Sequence, residues 1–580
     1  MSKKVAEQLV DMILQAGIKR IYAITGDSLN ELNDAVRRNP ALEWIHVRNE
    51  EAGAFAAAAD AQLSGIACCA GSSGPGHVHL VNGLYDAHRS GAPVLAIAST
   101  CATKEFGSTY FQETNVIKLF DDCSYYTQVA ANAKQLPRMA QAAIQTAVQR
   151  KGVAVIGFPG DVAGEPAVEI DSSTKNFFCK SNVTPVKEEL DALAALINRH
   201  HRICIFGGIG CADAHDEVVE LAALLKAPVG YSFRGKMSLQ YDNPYEVGMT
   251  GLLGLPAAYH SMHESDLVIL LGTDFPYTPF YPQGKNIVQI DLKSENLGRR
   301  AKLTMGLHGD IKSTVKALIP LLKEKADRSF LDAQLHIHAK VKGHLQTYVE
   351  TLGKVDAIHP EAAAAFLDKF ASEDAIFTCD TGMCNVWSAR YIKANGKRDM
   401  IGSFIHGSMA NAMPHAMGAA LACPNRQVVA MCGDGGISML LGDLATIKQY
   451  NLPIKIIVFN NKSLGMVKLE MEVMGLPDFQ VDMQDPDFTL VAEAMGIKGI
   501  TIRDPKDLES GLHEAFQYNQ GPVLVNIHTD GTALAMPPKI ELKMMKGMAL
   551  SMTKMMLGGK FEDVLETVKA NYKHLPEIFD

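Results

Sequence analysis

Two short runs in the last third of the chain carry groups that could hold a metal ion and a diphosphate. Gly433-Asp434-Gly435-Gly436 follows an apolar run at 427–432, and Asn460-Asn461 follows a second at 454–459. Asn461 therefore lies 27 residues after Asp434. Between them, 437–450 keeps apolar residues at helical spacing, and Pro453 restarts the chain into the second run. Strand, helix and strand make a right-handed βαβ unit, which brings both strand ends to one edge of a parallel sheet. A carboxylate and a carboxamide then face each other beside bare glycine backbone. Oxygen ligands of this kind suit Mg²⁺, which shares phosphate oxygens, and Gly435 and Gly436 let backbone N–H groups approach them. A lone GDG is as readily an ordinary turn; Asn461 at the end of the second strand is what favours the metal.

Other candidates come earlier. Arg48-Asn49-Glu50-Glu51 follows a strand at 44–47 and opens an alanine-rich helix at 52–63. Acids at that position are welcomed by the helix macrodipole, so capping competes with chemistry. A glycine-rich loop, Gly71-Ser72-Ser73-Gly74-Pro75-Gly76, follows a strand at 66–70 and is either a turn or a site. Asp27 or Ser28, after the strand at 20–24, reads as a helix cap. Gly207-Gly208-Ile209-Gly210 is an incomplete dinucleotide fingerprint. His336 and His338 are two apart on a helical stretch, so they point to different faces and are read as surface residues.

Alternating helices and short apolar strands position these groups, the pattern of parallel sheets wrapped by helices. The expected fold class is α/β, with three consecutive parallel-sheet domains and a C-terminal helical tail. The boundaries are 1–182, 183–340, 341–530 and 531–580, with the polar stretch 171–190 as the first linker. The 580 residues suffice for three or four domains. A net charge of −9 argues against a nucleic-acid partner. The 11 cysteines show no metal spacing, and Cys68 and Cys69 read as core. No apolar run reaches the roughly 18 residues of a membrane span, and the amphipathic N-terminal helix, with acids at Glu7 and Asp11, does not read as a signal peptide. In the tail, four lysines and no acids accompany six methionines over 543–560, followed by an amphipathic pattern over 561–575. Such a stretch can lie in a membrane interface or dock on the protein itself.

GDGG followed by NN resembles the diphosphate motif of thiamine-diphosphate enzymes. Together with Tyr110-Phe111-Gln112-Glu113-Thr114, Arg234-Gly235-Lys236, TGLL and GTDFPY, the chain resembles the FAD-dependent pyruvate dehydrogenase (quinone)/pyruvate oxidase family over its full length. The resemblance implies that Asp434, the Asn461 side chain and the Ser463 carbonyl hold Mg²⁺. It places Gly435, Gly436, Lys462, Ser463, Leu464, Gly465, Met466 and Val467 around thiamine diphosphate. Gly407, Ser408 and Met409 then support the cofactor's middle, with Met409 as a bulky wedge. Glu50 matches the glutamate that touches N1′ of the aminopyrimidine; Glu51 has no such match. Relatives carry His where Asn49 stands. Thr250, Gly251, Leu252, Leu253, Gly272, Thr273, Asp274, Phe275, Pro276, Tyr277 and Asp291 are the implied FAD contacts. Phe111, Gln112 and Glu470 line the reaction centre, and Met466 replaces a Phe of the quinone-linked relatives.

The activity so implied is oxidative decarboxylation of pyruvate to acetate and CO₂, with electrons passing through FAD to a quinone. The expected setting is cytoplasmic, peripheral on the inner face of the cell membrane, with the tail on phospholipid. The cofactor of such enzymes sits between two chains, so at least a dimer is implied and a homotetramer is expected. Alternatives are an oxygen-dependent oxidase making acetyl phosphate and H₂O₂, an acetolactate-synthase-like carboligase, and a cofactor-binding scaffold without turnover.

Overall fold

A computed structural model describes residues 3–168, 175–350, 357–533, 550–552 and 554–555. The chain forms three parallel sheets of six strands each. The first contains β1 (Arg20–Ala23), β2 (Glu43–His46), β3 (Ala67–Gly71), β4 (Val94–Thr100), β5 (Tyr126–Val129) and β6 (Val153–Pro159). The second contains β7 (Ile203–Gly207), β8 (Val229–Tyr231), β9 (Glu246–Met249), β10 (Leu267–Leu271), β11 (Asn286–Asp291) and β12 (Met305–His308). The third contains β13 (Ile376–Cys379), β14 (Asp399–Gly402), β15 (Val428–Gly433), β16 (Ile454–Asn460), β17 (Lys498–Ile502) and β18 (Val523–His528). Central strands such as β4 and β16 are buried along their whole length. Helices cover both faces of such sheets, so their strands read as unbroken apolar runs.

The first and third sheets share one topology. Their orders, β2-β1-β3-β4-β6-β5 and β14-β13-β15-β16-β18-β17, are the same when each sheet is counted from its own first strand. The equivalent helices that follow β2 and β14, Glu50–Ser64 and Ala412–Ala422, pack against each other. Both present alanine and glycine there. A Cβ on Gly418 would stand 2.0 Å from the Ala56 carbonyl oxygen. Ala52 to Ala61 and Met413, Ala416, Met417 and Ala420 accordingly share one core.

The middle sheet differs. Its order, read from the far edge, is β9-β8-β7-β10-β11-β12, the 3-2-1-4-5-6 arrangement of dinucleotide-binding sheets. Arg234 and Lys236 dock it on its neighbours. The Arg234 guanidinium donates to the Ser90 carbonyl, 2.7 Å, at the end of an N-terminal-domain helix. The buried Lys236 ammonium donates to the carbonyls of Ser388 (3.3 Å) and Ile392, at the end of the third-domain helix Met383–Tyr391.

Several expectations change. The 437–450 helix is two short ones, Asp434–Met439 and Leu444–Gln449, joined by a 3₁₀ turn. At that break the Asp443 carboxylate accepts from the Arg48 N–H, 2.8 Å, so tertiary structure outweighs helical spacing. Neither Asp27 nor Ser28 caps a helix; the Ser28 hydroxyl instead accepts from the Ser73 N–H, 2.9 Å. His336 is exposed, but His338 is buried and bonds Glu246 at 2.8 Å, because that face of helix Ser329–Glu350 packs on β9. The first linker is shorter than expected, since a helix starts at Lys187. The basic, Met-rich and amphipathic parts of the tail lie outside the described residues, apart from 550–552, 554 and 555. No described helix is long and apolar enough to cross a membrane.

Candidate active site

β15 and β16 are adjacent and in register, Gly433 opposite Phe459, so Asp434 and Asn461 follow neighbouring strand ends. Asp434 is buried and opens a helix rather than sitting in a turn. Its Oδ1 accepts from the Gly435 N–H, 2.8 Å, and its Oδ2 from the Lys462 N–H, 2.6 Å. Burial, and then the charge of Asp485, hold its carboxyl well above the ordinary carboxylate range. Asn461 Oδ1 accepts from the Ser463 N–H, 3.1 Å. One Asp485 carboxylate oxygen and the Ser463 hydroxyl are buried without a hydrogen-bond partner. A crowded carboxylate pair with orphaned oxygens is what a bound divalent cation would satisfy. Among the described residues no three His, Cys, Asp or Glu side chains form a metal cage. The donor set is one carboxylate, one carboxamide and backbone oxygen, which suits a cation that keeps water and phosphate oxygens.

Gly435 makes room for the wedge. A Cβ there would stand 3.2 Å from the Met409 methyl and 2.8 Å from Leu464. Met409 belongs to the loop after β14, where Gly407 (φ 79°) and Ala410 (φ 64°) take left-handed conformations. Asp380, at the end of β13, lies beneath; it accepts from the Ala412 and Gly433 N–H groups at 2.9 and 3.2 Å. Burial pushes its carboxyl up to about 6.

Glu50 stands in a second cluster. It is buried at the start of its helix, while Asn49 performs the cap, its side chain accepting from the Glu51 N–H at 2.9 Å. His79 Nδ1 approaches Glu50 Oε2 at 3.1 Å. The Gly74-Pro75-Gly76 segment lies between Glu50 and Gln112: a Cβ on Gly76 would lie 3.2 Å from Glu50 Oε1, and one on Gly74 2.9 Å from Gln112. Gln112 is left-handed (φ 62°), and its carbonyl accepts from the Ser73 hydroxyl, 3.0 Å. Phe111, next to it, is 76% exposed. Sequence reasoning missed His79 and Asp485; the glycine loop immediately before the His79 helix was the signal available for the first. Among the described residues no hydrogen bond or ion pair joins Glu50 to Asp434 or Asn461 within this chain.

Helix Gly465–Val473 carries Met466, Val467 and the exposed Glu470. Leu253 and Met466 both pack on the third domain's core, and Arg390 holds the Leu253 and Gly254 carbonyls at 3.3 and 3.4 Å. Burial, and then the charge of Glu470, raise the Tyr277 phenol. Phe275 and Tyr277 lie against Gly251, and Leu252 is exposed beside them. At the switch point between β7 and β10 two glycine turns cross. A Cβ on Gly208 would stand 2.6 Å from the Gly272 carbonyl and Thr273, and Gly210 donates to that carbonyl at 2.9 Å. Thr250 keeps a buried hydroxyl without a partner. Asp291 ends β11 buried, and burial raises its carboxyl. Asp274 is engaged by Arg299 and by Arg300 at 3.1 Å. The exposed Pro276 lies in the same loop.

Three family models match the chain in order. The thiamine pyrophosphate enzyme N-terminal TPP binding domain covers 3–119, the central domain 190–318 and the C-terminal TPP binding domain 380–527. The chain belongs to the thiamine pyrophosphate (thiamine diphosphate) enzyme family. It is 35% identical over 585 residues to YdaP of Bacillus subtilis (strain 168), a protein named for containing thiamine pyrophosphate, with all of both chains covered. It is 31% identical over 545 residues to the pyruvate oxidase of Lactiplantibacillus plantarum, covering 91% of this chain and 89% of that one. Acetolactate synthase 1 of Oryza sativa subsp. japonica is 26% identical over 549 residues, covering 90% and 84%.

Proposed function

We propose that the protein oxidatively decarboxylates pyruvate: pyruvate, water and a quinone give acetate, CO₂ and the quinol, with FAD in the middle domain as the electron relay. The observation that carries this reading is the placing of Tyr277, on the middle domain's loop after β10, in the field of Glu470 on helix Gly465–Val473. A sheet in dinucleotide order, crossed glycine turns and the orphaned Thr250 hydroxyl fit a flavin dinucleotide at that edge.

Thiamine diphosphate, when bound, supplies the carbanion that attacks a 2-oxo acid. Asp434, Asn461 and the Ser463 carbonyl would hold Mg²⁺ and through it the diphosphate. Met409, over Gly435, would fix the bend of the cofactor. Glu50, buried yet bonded on one oxygen only by His79, would hold the proton at N1′ of the pyrimidine. Gln112 and Glu470 would orient substrate or the attacking water, beside the exposed Phe111.

Among the described residues no hydrogen bond or ion pair joins Glu50 to Asp434 or Asn461 within one chain, which leaves room for a second copy to complete each site, and a homotetramer is the assembly we propose. Part of the tail touches the chain just past helix Gly465–Val473: the Ser551 hydroxyl and the Lys554 ammonium each donate at 2.8 Å, to the Leu476 and Gly475 carbonyls. Its basic composition supports contact with phospholipid on the cytoplasmic face of the membrane.

Purified protein given pyruvate, Mg²⁺ and thiamine diphosphate is expected to bleach bound FAD, reduce an added quinone analogue and release acetate. Acetolactate as the main product, or flavin that stays oxidised, overturns the reading. Acetyl phosphate and peroxide, formed with phosphate and O₂, would replace the quinone with oxygen.

A further inference from the structure

The loop that carries Met409 is held by a buried polar chain reaching into the N-terminal domain. Asp86, on helix Val81–Ser90, and His415, on helix Ala412–Ala422, are both fully buried, with Asp86 Oδ2 3.1 Å from His415 Nε2. The other ring nitrogen, Nδ1, lies 3.1 Å from Asn411 Oδ1. The Asn411 carboxamide is oriented by its remaining bonds. Its Nδ2 donates to the Ser408 carbonyl, 2.7 Å, and its Oδ1 accepts from the Ser403 N–H, 3.3 Å. Both nitrogens of His415 therefore face oxygen acceptors. The ring bridges Asp86 of the N-terminal domain to Asn411 of the third. Buried polar groups persist where they are hydrogen-bonded, and Asp380, at the end of β13, faces His415 from the third sheet. Phe55, from the alanine-rich helix, packs edge-on against the ring with centroids 5.4 Å apart. Arg234 of the middle domain and His406 of the loop also lie in the field of Asp86.

The loop needs such a hold, because a left-handed alanine such as Ala410 is disfavoured and persists only where its surroundings fix it. We infer that His415 is a positioning residue: bridging Asp86 and Asn411, it fixes Asn411, and through Asn411 the Ser408–Met409 turn, in the shape that receives the middle of the cofactor. This rests on thiamine diphosphate binding at that loop, not on which acceptor or product the enzyme uses.

The test is titration calorimetry of the full-length protein with thiamine diphosphate at saturating Mg²⁺, without substrate, beside thermal unfolding of the same samples. His415→Gln keeps one polar end and cannot bridge both acceptors. It is expected to weaken binding about tenfold, the value of a charge-assisted hydrogen bond. Asp86→Asn keeps the shape and a polar partner for the ring, and is expected to weaken binding less. Affinities equal to that of the wild type in both variants overturn the role. So does a loss of thermal stability with unchanged affinity, which a merely structural contact would give. Because binding is read without turnover, this result stands or falls apart from the oxidase reading.

Discussion

Glu50 Oε2 and His79 Nδ1 lie 3.1 Å apart, and the carboxylate is buried while 54% of the imidazole side chain is exposed. A buried acid thus has one solvent-facing partner, the arrangement of a proton-holding group that can exchange with water. Glu50→Gln is expected to slow exchange of the cofactor C2 proton by about 10²-fold, the usual loss for an acid–base group. His79→Ala keeps the carboxylate and is expected to cost about tenfold, within the range for a lost hydrogen-bond partner. Hydrogen–deuterium exchange at C2 measures both, and near-normal exchange in the glutamine variant would remove Glu50 from the mechanism.

Gly208→Ala puts a methyl group into the Gly272 carbonyl across the switch point. The backbone cannot yield there without moving the turn. The variant is expected to purify without flavin absorbance while still binding thiamine diphosphate. Retained flavin at full occupancy would place the dinucleotide elsewhere.

The βαβ unit around Asp434 and Asn461 was legible because it is local: two apolar runs and a glycine turn fix both strand ends. Glu50 was not distinguishable by physics from a helix-opening acid, and family resemblance singled it out. His79 was missed because its partner lies 29 residues earlier, across a glycine loop. Asp86 and His415 are 329 residues apart, so nothing short of the folded interface pairs them. The spacing of His336 and His338 correctly put them on different faces. Which face was buried depended on β9, 92 residues upstream of His338, where its partner Glu246 sits.

That pair sets an acid limit. Burial alone would raise the Glu246 carboxyl, but the His338 bond and charge, Lys342 and the Tyr231 hydroxyl outweigh it and bring it down to about 2. A depressed carboxyl stabilises the fold in full above the ordinary glutamate range and loses that contribution as pH falls through it toward 2, here roughly 3 kcal/mol. His338→Gln is expected to move the acid-unfolding midpoint upward. A midpoint that does not move would show that Lys342 and Tyr231 suffice.

Removing 558–580 is expected to weaken binding to vesicles of anionic phospholipid and any activation by lipid, while leaving the Ser551 and Lys554 contacts in place. Flotation with liposomes measures it. Binding equal to that of the intact chain would refute the membrane role.

The packing of helix Glu50–Ser64 on helix Ala412–Ala422 also bears on biosynthesis. About 350 residues of chain separate the two helices. At ordinary translation speeds the alanine face waits roughly 20–70 s for its cover. During that interval the nascent N-terminal domain carries an open, small-residue apolar strip on the ribosome. This is a surface for chaperones to guard, or for a second nascent chain to occupy wrongly.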